Sequence, residues 1–196
     1  ATTEVYTLSL HDALPISAQI PRIREAVEAL GLPMLEMDGW EADDVIGTLA
    51  LRAAREDFDV VLVTGDKDFM QVLGPRITMF IPIKNEVVTA ESVSGKIGVP
   101  PERVIDLMAL MGDSSDNVPG VPRVGEKTAR ELLTEFGTLD AVLEHASEIK
   151  KPAIRATVEE NRALALLSKK LVTIDTDVPI DTDIESLRFK IGRAHV

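Results

Sequence analysis

The 196-residue sequence contains no cysteine, which removes disulfide frameworks and thiolate metal sites and fits a reducing compartment, so a cytoplasmic protein is expected. Only three histidines occur, His11, His145 and His195, and a histidine-based catalytic mechanism has little support. No run approaches the roughly 18 apolar residues of a membrane span, and the amino end lacks the basic-then-apolar layout of a signal peptide. No membrane association is expected. Basic residues are also scarce: 21 Lys and Arg face 33 Asp and Glu, a formal charge of −12. That balance ordinarily argues against nucleic acid, because phosphate binding draws on Lys and Arg. The objection weakens if the acids are concentrated at metal ligands.

What is present suffices for one domain with a real core, or one domain and a small appendage, at 45% hydrophobic residues. Residues 1–17 show neither helical nor strand periodicity, and the run from Val5 to Ser17 resembles translated sequencing-adapter read-through, as does Lys190 to Val196. Both ends, 1–17 and 188–196, are therefore expected to be foreign to the fold.

From Arg22 the spacing predicts a helix with Ile23, Val27 and Leu30 on one stripe and Gly31 at its end. Leu32 to Met37 reads as a short strand. A second amphipathic helix is predicted from Glu41 to Arg55, with Val45, Ile46, Leu49 and Ala53 inward. Asp59 to Val63 reads as a strand buried on both faces. This alternation indicates α/β with a parallel sheet. Ile77 to Ile81 and Glu86 to Thr89 suggest a hairpin or edge pair. Pro100-Pro101 starts a helix through Met111, carrying Val104, Ile105, Met108 and Met111 inward. Further helices are predicted from Val124 to Phe136 before Gly137, from Leu139 to His145 behind Thr138, and from Ala153 to Leu171.

Three acidic clusters lie at element boundaries: Glu41, Asp43 and Asp44; Asp66 and Asp68; Asp113 and Asp116. Ligands gather beyond the carboxyl ends of parallel strands, which favours the segment Thr64-Gly65-Asp66-Lys67-Asp68. Hard cations such as Mg²⁺ want oxygen ligands and keep several waters, so several acids from separate loops suit one or two of them. A pair of them about 4 Å apart can activate water and stabilise the leaving oxygen of a phosphodiester. Each cluster also has an ordinary explanation: a helix start for the first, turn chemistry for the second and Asx-type capping for the third. On a helical wheel Glu41 and Asp44 share a side while Asp43 lies toward the other flank, so helical geometry alone does not bring all three together.

Immediately after the third cluster comes Gly120-Val121-Pro122-Arg123-Val124-Gly125, followed by Glu126-Lys127-Thr128-Ala129-Arg130. The small residues permit close backbone approach, and helix-start amides with Arg123, Lys127 and Arg130 could hold phosphate oxygens. Such contacts position a backbone without reading bases, so salt-sensitive, sequence-independent binding is expected. A Gly/Pro turn between packed helices with a solvated basic face is the plainer alternative.

Glu41-Ala42-Asp43-Asp44, Thr64-Gly65-Asp66-Lys67-Asp68, Gly112-Asp113-Ser114-Ser115-Asp116-Asn117 and the Gly120 to Ala129 segment together resemble the 5′-3′ exonuclease domain of bacterial DNA polymerase I, within the flap endonuclease family. The resemblance runs from Ala18 to Leu187. It implies a PIN-like α/β nuclease core with a parallel sheet over 18–111, and a helix-hairpin-helix and carboxy-terminal helical region over 112–187. It further implies that Glu41, Asp43, Asp44, Asp66, Asp68, Asp113 and Asp116 bind two divalent ions, Mg²⁺ or Mn²⁺. Gly120, Val121, Arg123, Gly125, Lys127, Thr128 and Arg130 would meet the DNA backbone, with a monovalent cation (K⁺) in the hairpin. The implied reaction is metal-assisted phosphodiester hydrolysis at a 5′ end or flap of duplex DNA, in primer and flap removal.

The family begins with a strand bearing another metal-binding Asp, a further Asp and a basic helical arch, to which nothing here corresponds. A polymerase portion is likewise absent after Leu187. The chain is therefore expected to be an amino-terminally truncated, monomeric and weakly active or inactive piece of a polymerase or a standalone exonuclease. A non-catalytic DNA-junction binding module is the main alternative. A PIN-like ribonuclease or a Mg²⁺-dependent phosphatase is disfavoured, having no need of a duplex-gripping hairpin.

Overall fold

The computed structural model describes residues 16–189, with side chains from Ala18 onward. The expectations for 1–15 and 190–196, including His11 and His195, lie outside the described residues. Two compact units form: residues 37–180, and residues 16–36 together with 181–189. No described helix is long and apolar enough to cross a membrane.

In the smaller unit, helix α1 spans Ile16–Ala29 and so starts ahead of the predicted Arg22, running through Pro21. Gly31 follows it at φ +69°, the left-handed conformation that suits glycine after a helix. The predicted apolar stripe is not buried: Ile23 and Leu30 are exposed, and Val27 is half-buried. Residues 32–36 are irregular rather than a strand. Pro33 has no N–H for a ladder, and no strand pairs with this stretch among the described residues.

The larger unit holds a three-stranded sheet in the order β1 (Val60–Val63), β2 (Ile77–Ile81), β3 (Glu86–Val88). β1 and β2 run parallel with Val60 opposite Ile77, and β2 and β3 run antiparallel with Phe80 opposite Val87. The sheet is thus mixed where a parallel one was expected, though the β2–β3 pair was foreseen. β2 alternates cleanly, burying Ile77, Met79 and Ile81. β1 does not have both faces covered: Leu62 is buried, while Val61 and Val63 are 58% and 67% exposed. It is an edge strand with one open face.

Helix α2 (Ala42–Arg55) packs on β1 and β2, burying Val45, Gly47, Thr48 and Ala50. Ile46, expected inward, is exposed, and Leu49 and Ala53 are half-buried. The inward face is displaced because the segment 173–178 lies along this helix. A Cβ on Gly47 would come within 2.6 Å of the Ile174 side chain. Thr48 Oγ1 donates to Asp175 O and accepts from Val178 N–H, and Gln71 bonds both Val172 O and Ile174 N–H.

Helix α3 (Ala90–Ile97) is absent from the sequence reading. It opens with a reciprocal cap between Thr89 and Ser92 and closes at Gly98, φ +76°. A 3₁₀ turn (Pro101–Arg103) leads into α4 (Val104–Met111), shorter than the predicted helix. α4 packs against α5 (Glu126–Phe136), α6 (Leu139–Glu144) and α8 (Arg162–Val172) and is enclosed by them. Val104, Leu107, Met108, Ala109 and Leu110 are buried, whereas Ile105 and Met111 are only partly so. Asp106 is buried here too, paired with Lys169 at 3.2 Å, which also reaches Asp140 at 2.7 Å. Gly137 ends α5 at φ +88°, and Thr138 Oγ1 caps α6 by accepting from Ala141 N–H. The predicted Ala153–Leu171 helix is two, α7 (Pro152–Glu160) and α8, divided at Asn161. There the Asn161 amide bonds back to Thr157 O at 2.7 Å. Val158 is buried, Ile154 and Leu164 are half-buried, and Leu167 is exposed.

Candidate active site

The loop after β1 turns sharply because Thr64 Oγ1 accepts from Asp66 N–H and Asp66 Oδ1 accepts from Asp68 N–H. This directs Asp68 inward and leaves Asp66 exposed. On the other wall, α4 ends at Gly112, and Asp113 is buried with its Oδ1 accepting from Ser115 N–H at 2.8 Å. Asp68, Asp113 and Asp116 each place one carboxylate oxygen within 4.8 Å of the others. These acids are 48 residues apart at their extremes in the sequence, and the ends of β1 and α4 bring them to one place.

The electrostatics of this group are unfavourable in the metal-free protein. Asp68 is pushed up to about 7, first by burial and then by the charges of Asp66, Asp116 and Asp113. Among the described residues its buried Oδ1 has no hydrogen-bond partner. Asp43 is also raised, by burial and then by Asp66, Glu41, Asp44 and Asp116. Lys67 offsets part of this repulsion: its Nζ lies 2.7 Å from Asp113 Oδ2, and that hydrogen bond holds Asp113 below the ordinary carboxylate range. A buried, unpartnered carboxylate oxygen amid several acids suits a hard cation.

The first cluster divides between two duties. Asp43 faces the acids of the other loops, whereas Asp44 Oδ1 accepts from Asp175 N–H at 2.8 Å and so anchors the 173–178 segment. Glu41 sits at the α2 N-cap without a side-chain cap bond and is exposed. Neither Glu41 nor Asp44 belongs to the group of three oxygens. A cleft of about 730 Å³ opens beside the cluster, lined by Asp66, Lys67, Lys84, Lys96, Asp113 and Asp116. Lys67, Lys84 and Lys96 escaped the sequence reading; for Lys67 the signal was its place between the two acids of its loop. A more apolar cavity of about 650 Å³ lies elsewhere, against Leu51, Leu73, Ile105 and Ile174.

The segment after Asp116 folds back on α4. Asp113 and Val118 exchange both backbone hydrogen bonds, at 2.9 and 2.7 Å, and Val121 N–H reaches Leu110 O. Gly112 (φ +75°) and Gly120 (φ +62°) cross so closely that a Cβ on Gly120 would lie 2.4 Å from Gly112 N. Every third residue points inward, with Val118, Val121 and Val124 buried. Pro122, Arg123, Gly125 and Lys127 are left at the surface. Arg123 adopts φ +68°. Gly125 is the N-cap of α5 and supplies no side chain to its first amides, which leaves those donors for an anion. Thr128 is half-buried. Arg130 pairs with Glu126 and lies over Gly98, and its buried Nε has no hydrogen-bond partner among the described residues.

Residues 13–98 match the family model of the 5′-3′ exonuclease N-terminal resolvase-like domain, and residues 99–194 match that of the 5′-3′ exonuclease C-terminal SAM fold. Among curated relatives, DNA polymerase I of Bacillus caldotenax is 44% identical over 179 residues, covering 89% of this chain and 20% of that protein. DNA polymerase I of Rhizobium leguminosarum is 47% identical over 169 residues, covering 86% and 17%. The chain thus spans about a fifth of the length of these relatives. The same fold occurs in the T5 5′-exonuclease with zinc bound, at TM-score 0.74 and 22% identity over 82% of this chain and 60% of that one. It also occurs in the catalytic core of Rad2 in complex with DNA substrate, at TM-score 0.55 and 20% identity over 88% and 59%.

Proposed function

Because the chain belongs to the 5′-3′ exonuclease family, with a PIN-like, resolvase-like part followed by a helical SAM-like part, we propose that it acts on duplex DNA bearing a 5′ end or flap. In this reading it is a divalent-metal-dependent nuclease hydrolysing phosphodiesters in primer and flap removal. The observation that carries it is the meeting of Asp68, Asp113 and Asp116 beside an unpartnered buried oxygen, at the root of the Gly112–Gly125 loop.

Asp68, Asp113 and Asp116 would hold one divalent ion, Mg²⁺ or Mn²⁺, and Asp43 and Asp66 fit the approach to a second. Such ions supply an activated water and charge stabilisation for the departing oxygen. The chain's own contribution is to aim the carboxylates: Ser115 N–H fixes one oxygen of Asp113, and Asp68 N–H fixes the turn at Asp66. The hairpin then receives phosphates through the amides at the start of α5, with Arg123 and Lys127 at the rim, while Arg130 is held toward Glu126 and Gly98. Glu41 is assigned to the rim of the metal site and Asp44 to holding its frame. Residues 18–111 and 112–187 serve as nuclease core and duplex-gripping region, respectively.

The test is cleavage of an end-labelled 5′-flap duplex with Mg²⁺ and with a chelator, for the parent chain and Asp113→Ala. Cleavage should require Mg²⁺ and fall about a hundredfold or more in the variant, the scale for one preorganised electrostatic group. Cleavage without metal, or an unimpaired variant, overturns the reading. Duplex binding with no metal uptake would favour a non-catalytic junction-binding module instead.

A further inference from the structure

Two backbone groups of the hairpin loop are satisfied by hydroxyls from distant helices rather than from within the loop. Ser168, in the middle of α8 and fully buried, accepts from Gly120 N–H at 3.0 Å and donates to Leu164 O at 2.8 Å. Thr157, near the end of α7, donates to Pro122 O at 3.0 Å. A serine that only bonded back along its own helix would be unremarked in such a place. Here the same oxygen takes up a buried amide 48 residues away, which no other group reaches among the described residues.

Gly120 is also the residue that transmits position. It rests on Gly112 without room for a Cβ, and Gly112 immediately precedes Asp113, whose N–H and C=O are both bonded to Val118. A shift of Gly120 therefore moves Asp113 relative to Asp68. The exposed turn 114–117 does not uncouple them, since Asp113 is bonded directly to Val118, Val118 is buried, and Val121 N–H is held by Leu110 O.

We propose that Ser168 and Thr157 are positioning residues: their hydroxyls set the backbone of residues 118–122 and, through Gly120 and Gly112, the register of Asp113 with Asp68 and Asp116. One pair of side chains on the carboxy-terminal helices thereby fixes both the phosphate-facing loop and the metal-facing acid. The assignment rests on the nuclease reading above for what the loop and acid bind, but not for the geometry itself.

The full 196-residue chain is compared as Ser168→Ala, Thr157→Val, Thr157→Ser, Lys127→Ala and, as a control for general destabilisation, Val88→Ala in the buried β3. Three quantities are read at a temperature where circular dichroism shows each variant folded. They are hydrogen exchange at the Gly120 amide, Ca²⁺ affinity without DNA, and affinity for a fluorescent 5′-flap duplex with Ca²⁺ replacing Mg²⁺. Ser168→Ala should speed Gly120 exchange and weaken both affinities about tenfold, as expected for one buried donor left unpaired. Thr157→Val should act in the same direction with a smaller effect, and Thr157→Ser should restore parent values. Val88→Ala should lower Tm and leave all three unchanged. Parent-like exchange and affinities in Ser168→Ala overturn the inference, and if that variant does not fold, parent-like values in Thr157→Val do so. If Lys127→Ala binds duplex normally while Ser168→Ala alters exchange and Ca²⁺ affinity, the duplex reading fails and the positioning role stands.

Discussion

The two ends of the Gly112–Gly125 loop are built on opposite terms. At Asp113 and Asp116, like charges crowd together, and among the described residues a carboxylate oxygen of Asp68 is buried without a partner and only Lys67 provides opposite charge at contact distance. At Gly120 to Val124, valines fill the core at every third position, and buried amides and carbonyls find partners on α4, α7 and α8. The first end is unfavourable until a ligand arrives; the second is complete without one. The molecule concentrates its instability where a cation would relieve it and spends packing where only shape is required.

The contrast is broken most severely at the packed end. Gly120→Ala forces a side chain at positive φ into the Gly112 backbone, so a loss of more than about 3 kcal/mol and a Tm drop of about 10 °C are expected by thermal denaturation. A parent-like Tm would mean that the two glycines are not in contact. Relief at the other end should be next in size: Ca²⁺ or Mg²⁺ at about 100 times its Kd should add about 2.7 kcal/mol and raise Tm by about 5–10 °C. The same ion should do little for Asp113→Ala.

A smaller effect follows from Asp68 alone. Its folded-state pKa of about 7 exceeds the ordinary 3.8, so the folded state retains a proton over that interval that the unfolded chain releases. The associated stability is present below pH 3.8 and is lost as pH rises through 7. In chelator, Asp68→Asn should therefore flatten the fall in Tm between pH 5 and 8 and raise Tm at pH 8 by about 2–4 °C, a figure discounted for partial solvent screening. A steeper fall in the variant would contradict the burial argument. The smallest change belongs to Lys67→Met: without its ion pair the metal-free Tm should drop by about 2 °C or less, while Ca²⁺ titration should show tighter binding. Weaker Ca²⁺ binding would show that Lys67 supports the metal site instead of competing with it.

The acidic clusters and the hairpin were legible because each is a short local pattern, and α5 and α6 because Gly137 and Thr138 mark their ends. Long-range covering was not legible. Asp59 to Val63 reads as doubly buried on β-branched content, yet Val61 and Val63 are left more than half exposed by the described residues. Leu32 to Met37 has strand composition but no ladder partner among the described residues. Periodicity runs through Asn161 because spacing does not register a local backbone departure. α3 does carry local signals, the Thr89–Ser92 cap and Gly98, but its weak apolar periodicity hides it. Ser168 offered no signal at all, since its role exists only through a contact 48 residues away. Likewise, the divergence of Asp43 from Asp44 was visible on a helical wheel, but the destination of Asp44 at Asp175 was not.

The bonds from Asp44, Thr48 and Gln71 to residues 172–178, together with Arg52 reaching Ile180 O, mean that the unit running from 37 to 180 is fastened by its own two ends. Its chain order is therefore partly interchangeable with its connectivity. A break at the exposed Lys150-Lys151 turn would yield two pieces, each still holding the other along α2, and the unit is a natural candidate for circular permutation there.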